Sequence, residues 1–269
     1  MTFDYPSWST PLDQQRSMLT VACVLMAVAF VYALWMARKE RSVWPVFVFL
    51  GAGCSIFYEP LGDILTMVAY PPQDEMRLFE AFGRVLPLWM GPNYFFFFSV
   101  PVLLLLRYVV KDGVSPQRWW TSYIAVVVFV TLFEQPGIKA DAWRYYADNQ
   151  AFSWNTYPLW VGFVNAMALF SMAAGVRGFR RLFPQEWQSA LLILVMPTLL
   201  FGSHAGISWP VTSALYSTPD KTIVNLAALL TIIMCLVAIR ALFIAVQRGR
   251  ADVVTVPPST FGALQGSGV

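Results

Sequence analysis

Seven apolar stretches, at roughly 17–37, 43–70, 86–107, 119–138, 157–176, 187–208 and 222–246, constrain this chain more than any other feature. About 20 apolar residues in a helix cross about 30 Å of hydrocarbon, so each stretch is long enough to span a bilayer. Within lipid every backbone polar group must be satisfied by the protein itself, which leaves helices or a closed barrel. A barrel needs ten-residue segments of alternating polarity, and none occurs. The sequence therefore predicts an all-α membrane protein, a single seven-transmembrane-helix bundle over residues 1–250, with a flexible tail at 251–269. Only 12% of the 269 residues are charged, against about 25% in a soluble domain. A soluble fold could not cover its surface with so few.

Lys and Arg collect on the cytoplasmic side of membrane proteins. With the N-terminus outside, the inner connectors and the C-terminal end hold Arg38, Lys39, Arg41, Arg107, Lys111, Arg118, Arg177, Arg180, Arg181, Arg240, Arg248 and Arg250, twelve of the eighteen. The outer side holds the other six beside eight acids: Asp4, Asp13, Asp74, Glu75, Glu80, Asp141, Asp148 and Asp220. This predicts an N-out, C-cytoplasmic topology in the plasma membrane. Residues 1–16 carry two Asp and one Arg, unlike the basic start of a cleavable leader, so the first helix is expected to stay as an anchor. The net charge of +3 is read as inner-face arginines against anionic lipid, with no nucleic-acid partner. Cys23, Cys54 and Cys235 fall within spans without a CxxC pair and read as small apolar residues.

Three acids remain inside predicted spans: Glu59, Asp63 and Glu134. An ionisable group at membrane depth is costly unless it is paired, neutralised or faces a water-filled cavity, which makes each a functional candidate. Glu59 and Asp63 are four apart and share a helix face. Two such acids do not both ionise, so one is expected to hold a proton, as a general acid requires. By span direction, Glu59, Asp63, Glu134 and the sole histidine, His204, are expected in the outer halves of their helices, level with Asn93, Tyr94, Trp160, Asn165 and Asn225. Pro60 and Pro136 each free a carbonyl near that depth. The alternative is that the acids serve as interhelical hydrogen-bonding glue.

His204 is either a hydrogen-bonded interior residue or a ligand. With the three acids it could hold one divalent ion, but no spacing requires it, and no metal or cofactor is expected. Trp143, Tyr145, Tyr146, Phe152, Trp154, Tyr157 and Trp160 crowd the fourth outer connector, as an interfacial belt or as a lid over an apolar cavity. No lysine lies inside the last span to hold retinal, and no phosphate loop, dinucleotide fingerprint, GxSxG or HExxH motif occurs.

In size, seven-helix topology and acids buried at one depth, with Glu59 near the second span, the chain resembles the integral-membrane terpene cyclases of meroterpenoid pathways. The resemblance implies an acid that protonates an epoxide or alkene of a prenylated, isoprenoid-like substrate, and aromatic walls that guide the carbocation. Glu59 matches the family's early acid. The family's late acid has no counterpart inside the last span, only Asp220 at its start, so that role falls to Asp63 or Glu134. On this reading Tyr58, Asn93, Tyr94, Trp160, Trp209 and Asn225 contact the substrate, Glu59 donates the proton, and Glu134 or His204 removes one. A proton-coupled carrier or lipid-binding protein using the same acids is the alternative, and a non-catalytic assembly subunit a third.

Overall fold

The computed structural model describes residues 5–248. The tail expected at 251–269 and the charges Asp4, Arg250 and Asp252 lie outside the described residues. Eight α-helices form the bundle: α1 (Leu12–Glu40), α2 (Trp44–Cys54), α3 (Glu59–Thr66), α4 (Met90–Tyr108), α5 (Pro116–Lys139), α6 (Leu159–Leu182), α7 (Leu192–Ser217) and α8 (Lys221–Arg248). They supply seven segments long and apolar enough to cross a membrane, with Trp44–Thr66 as the second.

That second segment is broken rather than kinked. α2 runs into a 3-10 turn at Ser55–Tyr58, and the chain restarts as α3 with Pro60 in its first turn. A proline there gives up an N–H that would have had no helical acceptor. Glu59 and Asp63 thus ride on a short helix of their own. The sixth segment also differs from expectation, since α7 continues through Pro210 to Ser217 instead of ending near 208. Packed neighbours tolerate a proline in such a helix. The longer helix leaves His204 near its middle rather than in its later half.

Among the described residues, six short strands lie in two connectors. β1 (Val68–Ala69) pairs antiparallel with β4 (Arg144–Tyr145), β2 (Arg77–Ala81) with β3 (Arg84–Pro87), and β5 (Ser153–Trp154) with β6 (Tyr157–Pro158). The β2–β3 turn places Phe82 and Gly83 at φ 53° and 69°, the positive angles a two-residue hairpin loop demands. The β1–β4 pair joins connector 67–89 to connector 140–158 over one end of the bundle. The N-terminal segment crosses the same end: Tyr5 Oη donates to the Tyr70 carbonyl at 3.1 Å, and Trp8 Nε1 to that of Asp141 at 2.8 Å. At the opposite, arginine-bearing end, Arg177 Nη1 donates to the Val110 carbonyl at 3.2 Å, and Glu186 Oε2 accepts from Ser42 Oγ and Val43 N at 2.9 Å each.

α6 is the most enclosed of the long helices and α1 the most peripheral. Trp119, Tyr123 and Phe170 are fully buried, with Phe170 stacked edge-on to both at 5.1 and 5.7 Å. Their polar tips are satisfied by backbone: Trp119 Nε1 donates to the Ile239 carbonyl at 3.2 Å and Tyr123 Oη to that of Phe163 at 3.0 Å. These rings close the half of the bundle toward the arginine-bearing end.

Candidate functional site

α3 is built to hold its acids still. Met67, in the left-handed conformation at φ 54°, ends the helix and returns its N–H to the Asp63 and Ile64 carbonyls. The last carbonyls of a helix lack intrahelical donors, and at membrane depth an unmet one costs several kcal/mol. Tyr216 Oη donates to the Ile64 carbonyl at 2.7 Å, Thr212 Oγ1 to that of Leu65 at 2.9 Å, and Gln150 Nε2 to that of Thr66 at 2.8 Å. α7 and connector 140–158 therefore clamp the end of α3.

The turn at Met67 sends the chain back over α3, and Tyr70 Oη donates to Glu59 Oε1 at 2.5 Å. Tyr94, from the first turns of α4, donates to Glu59 Oε2. Both oxygens of Glu59 thus accept phenolic hydrogen bonds. One turn on, Asp63 is 2% exposed, and its Oδ2 has no hydrogen-bond partner among the described residues. Arg84 on β3 packs its guanidinium 4.5 Å over the Tyr5 ring.

Glu134 comes from α5. Trp143 Nε1 and Tyr145 Oη both donate to its Oε2, at 2.9 and 3.3 Å, while Oε1 accepts no hydrogen bond among the described residues. The Trp143 indole reaches this position because Gly137 has no side chain, so the six-membered edge of the ring comes close to the α5 backbone. On α7, His204 Nδ1 lies 2.8 Å from Tyr58 Oη. Burial and then the Glu59 charge hold the Tyr70 phenol well above its ordinary range, and burial with the Glu134 charge does the same for Tyr145. Both phenols therefore remain hydrogen-bond donors across the neutral range.

Tyr58, Glu59, Asp63, Asn93, Tyr94, Glu134 and His204 line one cavity of about 100 Å³, together with Asn165. Its other walls are largely aromatic, completed by aliphatic side chains such as Val68, Met90, Val161 and Leu200. Trp89 and Trp143 tilt against each other at 5.6 Å, and Phe97 meets Phe98 and Phe133 at 5.0 and 5.3 Å. Charge is confined to three carboxyls within a shell of rings, an arrangement that can move protons and stabilise a cation. Among the described residues, no group of three His, Cys, Asp or Glu is arranged to hold a metal ion.

Three residues expected at the substrate lie elsewhere. Trp160 is fully buried behind the cavity, where its Nε1 donates to Gln150 Oε1 at 3.4 Å. Trp209 is 57% exposed on the outer face of α7. Asn225 stands on α8 and is not among the lining residues. A helix that is apolar all round gives no sign of which face turns inward, so depth for Trp160 and Asn225, or ring type for Trp209, does not place a residue at the cavity. The aromatic connector divides the same way. Trp143 and Tyr145 roof the cavity, Phe152 and Trp154 are exposed, and Tyr157 joins the core.

Among the lining residues that the sequence does not single out are a ring wall and a ring donor: it predicts Trp89 inside the third span and Tyr70 at the end of the second. The sole local hint for Tyr70 is that Pro71 and Pro72 follow it, which marks a chain already out of its helix. Comparison with known proteins finds no matching family model, no similar curated protein and no similar solved structure.

Proposed function

We propose that the protein is a plasma-membrane enzyme, N-terminus outside and C-terminus cytoplasmic. It protonates an epoxide or alkene of an isoprenoid-like lipid and so drives cyclisation or isomerisation, as the membrane terpene cyclases do. The convergence of Glu59, Asp63 and Glu134 on one cavity walled by aromatic rings carries this reading. Had the three acids faced separate helix contacts, hydrogen-bonding glue would have sufficed.

The geometry favours Asp63 over Glu59 as the donor. Glu59 accepts two phenolic protons, the pattern of an ionised carboxylate, whereas Oδ2 of Asp63 receives none. Adjacent carboxyls in a low-dielectric site share one proton. Glu59 is then the fixed anion beside a protonated Asp63. The proton passes to the epoxide oxygen or an alkene carbon of the substrate. The resulting cation rests against the faces of Trp89, Trp143 and Phe97, and Glu134 Oε1 takes a proton from the adjacent carbon. One proton goes in and one comes out, so the product is an isomer of the substrate. Exchange with water then returns a proton to Asp63 and removes one from Glu134.

At about 100 Å³ the cavity is smaller than the roughly 300–1,000 Å³ that encloses a whole ligand. Only the reacting end of the substrate is enclosed, and the rest of the isoprenoid chain lies between helices in lipid. The ring-packed half below it, built on Trp119, Tyr123 and Phe170, suits a one-sided catalyst better than a carrier, which needs access from both faces.

The test is turnover of epoxide- and alkene-terminated prenyl substrates by the purified protein in D2O. One deuterium should appear in the product of the alkene substrate. Asp63→Asn should lower turnover by about 10²–10⁴-fold, the usual contribution of a general acid. An Asp63→Asn protein with undiminished turnover would overturn the assignment.

A further inference from the structure

We propose that the arginine-bearing end of the bundle is a second binding site, for a phosphate-bearing anion, and that an anionic phospholipid headgroup is its occupant. A cavity of about 450 Å³ opens there between the last turns of α1, α4 and α6 and the start of α2, within the roughly 300–1,000 Å³ typical of ligand sites. Arg107, Arg177, Arg180 and Arg181 line it against Glu40 and Asp112, four positive charges to two negative.

Asp112 occupies two of the four, at 2.6 Å from Arg177 Nη2 and 3.0 Å from Arg181 Nη2. Neither Arg107 nor Arg180 is ion-paired among the described residues. Instead their guanidiniums stack on indoles, Arg180 at 4.3 Å over Trp44 and Arg107 at 4.5 Å over Trp35. Stacking fixes the plane of a guanidinium and leaves its edge N–H groups free for a forked contact with an anion. Trp44 is 2% exposed, which holds the ring under Arg180 in place. The two cations without acidic partners at the wall of this cavity suit an acceptor-rich anion.

A phosphate offers the guanidiniums more oxygens than the pair on a carboxylate. The surroundings favour a lipid as its source. The cavity lies where the apolar segments end, Met36, Leu106 and Val110 form its apolar wall, and Trp35 beside Arg107 is 45% exposed. Basic pockets between helix ends at this level are where anionic headgroups bind.

Native mass spectrometry of the detergent-purified full chain, titrated with phosphatidylglycerol or phosphatidylcholine, tests the site. Wild type should retain one phosphatidylglycerol on the order of tenfold more tightly than phosphatidylcholine, and the double variant Arg107→Gln/Arg180→Gln should lose that preference. Trp44→Phe, which shrinks the ring that holds Arg180, should weaken it less. Failure of millimolar inorganic phosphate to compete supports the headgroup. Full displacement by inorganic phosphate overturns the lipid and assigns the site to a soluble phosphate compound. Equal binding of the two lipids by wild type, or an undiminished preference in a double variant that elutes as a folded protein, overturns the site. Where the double variant does not fold, the wild-type comparison and Trp44→Phe decide.

Discussion

Gly137 shows how one residue position shapes the cavity. A Cβ added there would stand 1.8 Å from Cη2 of Trp143, so the indole could not keep its place. Alanine gains about 0.8–1.0 kcal/mol over glycine in a helix interior, while overpacking costs about 1–3 kcal/mol. Overpacking wins, and Gly137→Ala should lower stability by about 1 kcal/mol and deprive Glu134 of its indole donor. Thermal unfolding in detergent checks this, and a raised Tm would show that the indole does not rest on α5. At this scale the sequence was informative about acids and uninformative about rings. A carboxyl within an apolar span is conspicuous because lipid penalises it. Tyr70 and Trp89 are two aromatics among many, and their place at the cavity depends on a turn several residues away.

Among the elements, α3 and connector 67–89 were least legible. The spacing of Glu59 and Asp63 predicts a shared helical face, and α3 provides it. Pro60 predicts one freed carbonyl within a continuous second span, because a proline alone does not tell a kink from a new start. The connector is tied down by Gln15, whose Nε2 donates to the carbonyls of Thr10 and Asp74 at 2.7 and 3.0 Å while its Oε1 accepts from Met76 N at 2.8 Å. Between them Glu75 is 8% exposed, and its Oε2 lacks a hydrogen-bond partner among the described residues. Burial pushes its carboxyl from the ordinary 4.5 up to about 7. The folded connector therefore binds this proton more tightly than the unfolded chain does. The stabilisation is complete below about 4.5 and is lost as pH rises through about 7. Tm should accordingly fall between pH 5 and pH 8, and Glu75→Gln should flatten that slope. An unchanged slope in the variant would place the titrating group elsewhere.

For the whole molecule, the unequal distribution of charge between its two ends carries the proposed orientation. Asp148 is exposed on connector 140–158, and Lys111 on the connector between α4 and α5. With Cys23, Cys54 and Cys235 replaced, Asp148→Cys should react with a membrane-impermeant maleimide in intact cells and Lys111→Cys only after permeabilisation. The reverse pattern would invert the topology. The side surface suits lipid: Val21, Val24, Val28 and Val31 on α1 and Leu226, Leu230, Ile233 and Val237 on α8 are all exposed. In water such a surface would aggregate.

The sequence by itself determined the helical class, the seven apolar segments and the short list of acids. All three follow from one local rule, that hydrocarbon rejects unpaired charge and unsatisfied backbone. Tertiary structure alone decided which rings meet those acids, which acid goes without a partner, and that Trp160, Trp209 and Asn225 point away. Each of those outcomes depends on helix rotation and on connectors folding back across the bundle. A chain apolar on every helical face does not record such long-range choices residue by residue.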